Sequence, residues 1–390
     1  MSWGDDTVGT IRDLEYVRRK LNDDFVGRDR AIRLLLLAVV CREHALLLGP
    51  TGTAKSELIG ALARQIEARH FSYLLTRFTE PSEIFGALDF ESFRQGTYHV
   101  HTEGMLPQAE LVFLDEVFQG SGAILNTLLT LLNERRYHNG AQAETAPLVS
   151  LLGASNEIPD DPGLTAFSDR FLIRLQVDPV SGDELERLLA VGWRHEMRRL
   201  SAAGGRRPSG RTSGAVTLRR LGELTVRLRD VDLDPVLPYH QELVQELLVQ
   251  GVRLSDRRLV RSLKLVAAAA LLRESQQAEP TDLWPLAHIW TEPVDRHTVE
   301  QAVQTMVEKH GGEAVQRRRP DAELLLDARE IAGPLTARRH PPSEWSVVHA
   351  LDQLNLLHRE LMEHQPVKPE TAAELSRIIG DVNALLDGFH

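Results

Sequence analysis

Residues Gly49-Pro50-Thr51-Gly52-Thr53-Ala54-Lys55-Ser56 follow directly on the apolar run Ala45-Leu46-Leu47-Leu48. This is the phosphate-binding pattern G-x-x-x-x-G-K-[ST] behind a buried strand, met at every fixed position except the last glycine, where Ala54 stands. Glycines let the backbone curl so that its N–H groups and the next helix N-terminus face an anion. Lys55 would reach terminal phosphates, and the Ser56 hydroxyl would ligate magnesium. A glycine turn that binds nothing is the alternative, and Ala54 leaves it open until a second motif is found.

The second motif is Leu111-Val112-Phe113-Leu114-Asp115-Glu116. Four apolar residues read as a strand buried on both faces, which lacks alternation. Its two carboxylates emerge at the carboxyl end, where ligands sit in open α/β sheets. There Asp115 can hold hydrated magnesium and Glu116 can polarise an attacking water. A third strand, Leu148–Ala154, ends in Ser155-Asn156-Glu157, and Asn156 at its tip could orient that water. A turn-forming Asn before Ile158-Pro159 is the other reading. Arg170, after a loop and before the apolar Phe171-Leu172-Ile173, could point out of the subunit and stabilise charge on a neighbour's γ-phosphate. A surface ion pair with Asp169 is its alternative role.

The motifs in this order and spacing resemble the AAA+ ATPases. Val112–Glu116 followed by Ala123–Leu129 and Leu132-Asn133-Glu134-Arg135 looks narrower, like the MoxR family and its RavA-type branch. Ala154–Glu157 and Asp169–Leu175 fit the same branch, as does alanine at position 54. The resemblance covers roughly residues 20–295. It implies an α/β AAA+ core with a parallel sheet, followed by an all-helical lid. Lys55 and Ser56 then correspond to Walker A, Asp115 and Glu116 to Walker B, Asn156 to sensor 1 and Arg170 to the trans-acting arginine finger. Leu254–Leu259 looks like the sensor 2 segment. Ser255 is a good N-cap, which puts Arg257 in the first helical turn facing the nucleotide across a domain cleft, with Arg258 as the other candidate.

Two segments match inserts of that family. Phe90–His101 reads as two short strands around Gln95-Gly96, within a helix-2 insert at about 86–104. His99 and His101 share a face there, with no third metal ligand near in sequence. Arg136–Gly140 carries the Asn-Gly hairpin signal, as a pre-sensor hairpin at about 135–152 would.

The chain has 390 residues, enough for two or three domains. The expected divisions are an AAA+ core at 1–200, a flexible linker at 201–216, a helical lid at 217–295 and a helical C-terminal region at 296–390. Ile11, Leu14 and Val17 share a face of an N-terminal helix, and Val26-Gly27-Arg28 would lie near the base. Stripes at Leu243, Leu247 and Leu248 and at Leu259, Leu263, Val266 and Ala270 mark lid helices, and Thr371 with Glu374 forms a capping box for the last helix. The three arginines of the linker read as a solvated loop or as contacts to an anionic partner. The RavA-type C-terminal insertion is not found.

A net charge of −11 with no long basic run demotes nucleic acid as a partner. One cysteine, Cys41, permits no intrachain disulfide and lies in an apolar helix. The apolar runs are too short to span a bilayer and the N-terminus shows no signal sequence, so a cytoplasmic protein is expected. The resemblance implies an ATPase using ATP and Mg2+ that assembles into a ring, expected to be a hexamer. It also implies remodelling of a protein client with a von Willebrand factor A-domain partner. A nucleotide-gated scaffold and a nucleic-acid motor are the competing readings.

Overall fold

The computed structural model of the chain describes residues 3–180, 184–203, 216–310 and 369–386, with single positions between Leu325 and Leu361. Its contacts form two units, Met1–Gly312 and Glu313–His390.

The first unit opens with helices α1 (Asp5–Asp24) and α2 (Asp29–Cys41). Helix α1 buries Ile11, Leu14, Val17 and Leu21, the face expected from its spacing. From Ala31 to Cys41, α2 buries every residue except Arg33. An all-round apolar helix needs apolar neighbours on every side. The rest of the unit supplies them.

The core continues through β1 (His44–Leu48), α3 (Lys55–Gln65), β2 (His70–Leu74), α4 (Pro81–Phe85), α5 (Phe90–Arg94) and β3 (Leu111–Asp115). Next come α6 (Gly122–Glu134), β4 (Arg136–Asn139), β5 (Gln142–Thr145), β6 (Ser150–Ser155), α7 (Pro162–Ser168) and β7 (Phe171–Gln176). Five strands form a parallel sheet in the order β2-β3-β6-β1-β7. Strands β1 and β6 are buried at every residue, as strands covered on both faces must be, while the edge strand β2 is not. The β6 strand therefore does lie beside the Asp115 strand.

Helices α8 (Leu185–Ala203), α9 (Leu218–Arg227), α10 (Leu237–Val249), α11 (Asp256–Leu272) and α12 (Arg296–His310) follow. Residues 204–215 of the expected linker lie outside the described residues. Helices α9 and α11 pack on α2, whose other sides meet α1 and strands β1 and β7. One hydrophobic cluster thus runs from the sheet through α2 into Leu243, Leu247 and Leu265. Ser255 caps α11 as expected, accepting a hydrogen bond from the Arg258 N–H. The buried face of α11 differs from the predicted stripe. It holds Arg258, Ser262, Leu265, Val266 and Ala270, while Leu259 and Leu263 are only half-buried and Leu248 of α10 is exposed. The buried guanidinium described below turns the helix that way.

The hairpin expected around Asn139-Gly140 is present as antiparallel β4 and β5, joined by Gly140-Ala141. The helix-2 insert is not two strands. It is the short helix α5, capped by Asp89, flanked by a single antiparallel bridge between Leu88 and Val100. Asp89 accepts from the Glu91 N–H and the Ser92 hydroxyl, and these local bonds favour a helical turn over a ladder. The buried Asn139 side chain accepts from the Val100 N–H (2.8 Å) and donates to the Val100 carbonyl (3.1 Å), tying hairpin to insert. Gly140 lies so close to the Tyr98 carbonyl that a Cβ there would sit 2.0 Å from its oxygen.

Within the second unit, a separate cluster includes Val347, Leu351, Leu354, Leu361, Leu375 and Val382. The final helix spans Pro369–Asn383, so Thr371 lies inside it and is not its N-cap. Glu374, the expected partner of Thr371, pairs with Arg329 instead. Among the described residues, no helix is long and apolar enough to cross a membrane.

Two buried histidines are held neutral chiefly by burial. His44 accepts from the Leu151 N–H through Nδ1 and faces the Leu132 carbonyl through Nε2. His288 accepts from Arg30 Nε through Nε2 and faces the Arg174 carbonyl through Nδ1. Burial, reinforced by Arg135 for one and Arg30 for the other, holds His44 well below 6.5 and brings His288 down to about 3. The unfolded chain therefore binds more protons below pH 6.5, and stability present above that pH is lost as pH falls toward about 3. The urea midpoint should decline over this window, and His44→Gln and His288→Gln should each make the decline shallower.

Candidate functional site

The loop at 49–56 leaves the carboxyl end of β1 and enters α3. Gly49 has φ +142°, and a Cβ there would meet the Val177 carbonyl oxygen at 2.2 Å, so no other residue fits. Ala54 adopts φ 60°, ψ 24°, a left-handed conformation. The pattern's glycine would take it freely, whereas alanine is strained by about 1–2 kcal/mol. Ala54 thus keeps the loop geometry despite its side chain. The Lys55 ammonium donates to the Gly49 and Pro50 carbonyls (2.8 Å each), and the Thr53 hydroxyl donates to the Pro50 carbonyl. Burial pushes the Lys55 pKa down, opposed by Asp115 and Glu116.

Asp115 ends β3, and its Oδ2 accepts from the Ser56 hydroxyl at 3.5 Å. These are hard oxygen donors of the kind Mg2+ takes while keeping most of its waters, so Ser56 and Asp115 fit that ion. Glu116 follows with φ 49°, its N–H donating to Asp115 Oδ1. Asn156 is exposed at the tip of β6. Strands β3, β6 and β1 are adjacent, so Lys55, Ser56, Asp115, Glu116 and Asn156 all gather at one edge of the sheet. His99 and His101 meet edge to face with centroids 6.4 Å apart, and no group of three or more metal-ligating side chains occurs among the described residues.

The arginines are elsewhere. Arg170 precedes Phe171, which pairs with His44 at the opposite end of β1. At about 3.3 Å per residue, one strand length puts it roughly 16 Å from the phosphate loop. Its side chain has no hydrogen bond or ion pair among the described residues, and its buried Nε lacks a partner. The Asp169 carboxylate, its alternative partner, is taken by Arg258 at 3.2 Å.

Arg257 does not face the nucleotide loop of its own chain. Its guanidinium donates to the Asn133 side chain (2.9 Å) near the far end of α6. Arg258 is 2% exposed and donates to the Leu172, Phe171 and Ile289 carbonyls and to Asp169. Burial lowers its pKa, with Asp169 opposing. It is a fastener between α11 and the start of β7, not a second candidate for the nucleotide.

Sequence reading missed the other groups of this joint. Glu43, buried before β1, takes Arg261 at 3.1 Å and Lys264 at 2.7 Å from α11. A lone acid between two apolar runs was its only signal. Arg174, buried within β7, donates to Ser168 and lies over the Trp290 ring, and burial brings its pKa down to about 9.

Known proteins resemble the chain in both parts. Residues 12–206 match the family described as the MoxR domain in the MoxR–vWA–β-propeller ternary systems, and residues 236–303 match an AAA lid domain. An uncharacterised protein of Methanocaldococcus jannaschii is 36% identical over 321 residues, spanning 82% of this chain and 78% of that protein. A protein named MoxR from Paracoccus denitrificans is 28% identical over 170 residues, 42% of this chain and 50% of that one. A solved protein of Cytophaga hutchinsonii, a candidate ATPase by its description, shares the fold with TM-score 0.61 at 18% identity, covering 78% of this chain and 96% of that one.

Two substitutions test the local readings. Ala54→Gly should relieve the left-handed strain and raise the unfolding free energy by on the order of 1 kcal/mol, read from the urea midpoint. Arg258→Ala should cost about 3–5 kcal/mol by stranding buried acceptors, whereas Arg257→Ala should stay within about 0.5 kcal/mol of the parent.

Proposed function

Because the chain belongs to the MoxR family of AAA+ ATPases, we propose that it is a magnesium-dependent ATPase that works as a ring. Each active site would be divided between two copies. The observation that carries this reading is the separation of the nucleotide-facing groups from Arg170, which sits about one strand length away with its buried Nε unpartnered among the described residues.

In this proposal the loop N–H groups and Lys55 bind the ATP phosphates. Ser56 and Asp115 hold Mg2+, which when bound neutralises the phosphate charge. Glu116 draws the proton side of the attacking water, Asn156 orients that water, and Arg170 of the next copy stabilises charge on the γ-phosphate. Arg257 shares the edge of Arg170 and would act toward the same neighbour. The lid shares a continuous core with α2, so hydrolysis would shift one copy against the next instead of swinging the lid on its own core.

The work done is read as remodelling or assembly of a protein client in the cytoplasm, by a ring of hexameric type. A von Willebrand factor A-domain partner is supported by the ternary systems for which the matched MoxR domain is described. The RavA-type branch rests on Ala54 and on the segments Ala154–Glu157 and Asp169–Leu175.

Arg170→Ala should retain ATP binding and lose turnover by about 10³-fold or more. Glu116→Gln should also be inactive alone. Mixing the two variants should recover phosphate release, because mixed contacts pair an intact Glu116 with an intact Arg170. A mixture as inactive as its components sinks the divided site.

A further inference from the structure

Cations gather at the start of β1, the end of that strand away from the phosphate loop. Arg42 follows α2 and Arg135 follows α6, each at a helix end with φ 54°. Glycine takes that left-handed position most easily, so both ends keep arginine against backbone preference. Arg135 Nη2 donates to the Arg42 carbonyl (2.7 Å), and Arg42 Nη2 donates to the Leu148 carbonyl (3.3 Å). Arg257 reaches the neutral Asn133 amide, two residues before Arg135, and Arg261 comes in from α11.

The acids do not balance these cations. Glu43 is buried and already shared by Arg261 and Lys264. Among the described residues, Arg42, Arg135 and Arg257 form hydrogen bonds to neutral oxygens and no ion pair. Burial brings the Arg135 pKa down to about 10, with the Arg42 charge adding to the shift, Glu43 opposing it and Arg261 adding again. Its Nη1 is buried and has no hydrogen-bond partner among the described residues. The carbonyls at the end of α6 favour cations here. They do not explain a buried donor left unpaired beside two like charges, an arrangement that costs free energy until an acceptor arrives.

We infer that Arg42 and Arg135, flanked by Arg257 and Arg261, form a binding site for a phosphate-type oxyanion. Arg42 is exposed and Arg135 half-buried, so an ion arriving from solvent meets one guanidinium in front of the other. A phosphate group brings up to two negative charges and at least three acceptor oxygens, enough for the orphaned Nη1 and for Arg42 together. A carboxylate has one charge and two oxygens, and would leave the cluster cationic. The bound ion would fasten the end of α2 to the end of α6. The site goes beyond the nucleotide-binding reading and does not depend on it, since the loop at 49–56 lies at the other end of β1. Two sources share the chemistry: free inorganic phosphate, and the phosphate chain of a nucleotide held by another copy.

The test is calorimetric titration of the full chain with inorganic phosphate at constant ionic strength, in a Lys55→Ala background that disables the phosphate loop. Phosphate should bind, and adding Arg135→Gln or Arg42→Gln should weaken it by about tenfold or more, as loss of a charge-assisted contact does. The Arg42 side chain is exposed, so its variant carries the test even if Arg135→Gln disturbs the fold. Arg94→Gln, at an exposed position on α5, removes the same charge and should leave the titration unchanged. An equal loss in that control assigns the effect to overall charge and overturns the inference. A second arm titrates ATP into Glu116→Gln chains, dilute and concentrated. A tenfold loss of ATP affinity with Arg135→Gln confined to the concentrated sample supports the site and names another copy's nucleotide as the source. Binding of inorganic phosphate by the dilute chain names the free ion. No dependence on Arg42 or Arg135 in either arm overturns the inference, and so does acetate binding as tightly as phosphate.

Discussion

A guanidinium taken out of water must find acceptors for its donors, and Arg258 finds them on Phe171, Leu172, Ile289 and Asp169. Those acceptors lie at the start of β7 and in the segment after α11, so the arginine sets both the depth and the rotation of α11. With α11 fixed, Arg261 and Lys264 fall on the buried Glu43, and Arg257 is carried to the sheet edge away from the phosphate loop. Taking Asp169 also leaves Arg170 without its neighbour as a partner. One buried charge therefore accounts for the placement of Arg257, Arg261 and Lys264, and it occupies the carboxylate next to Arg170.

The phosphate edge was legible in the sequence because its determinants are local. Lys55, Ser56, Asp115, Glu116 and Asn156 each follow a strand whose apolar run marks it as buried, and parallel strands bring their carboxyl ends together. The lid was legible as helices but not in its orientation. Apolar periodicity cannot flag a helix whose buried face includes Arg258 and Ser262. The insert at 90–101 misled in a different way: aromatic residues around a Gln-Gly pair suggested strands, yet Asp89 captured the backbone first. At the last helix, Thr371 and Glu374 had the spacing of a cap, but the helix begins earlier and Arg329 claims the glutamate.

Of the six non-glycine residues with positive φ among the described residues, two lie where the nucleotide chemistry is proposed. Ala54 and Glu116 both adopt left-handed backbone, one in the loop and one directly after the strand that ends in Asp115. Such conformations persist only where their surroundings over-determine them. Here the loop is held by the close approach of Gly49 to Val177, and Glu116 by its N–H bond to the Asp115 carboxylate. A chain that keeps two disfavoured backbones within one small region has put geometry there ahead of local preference.

Helix α2 has a consequence for how such chains can be inherited. Its residues answer to the sheet on one side and to α9 and α11 on another, with Arg33 alone outside the buried set from Ala31 to Cys41. The segment 216–310 is therefore no detachable module. A lid exchanged between distant relatives would arrive on a helix shaped for a different partner, and the exchange could succeed only if α2 travelled with it. The two parts are separate stretches of one chain, yet they must change as a single heritable unit.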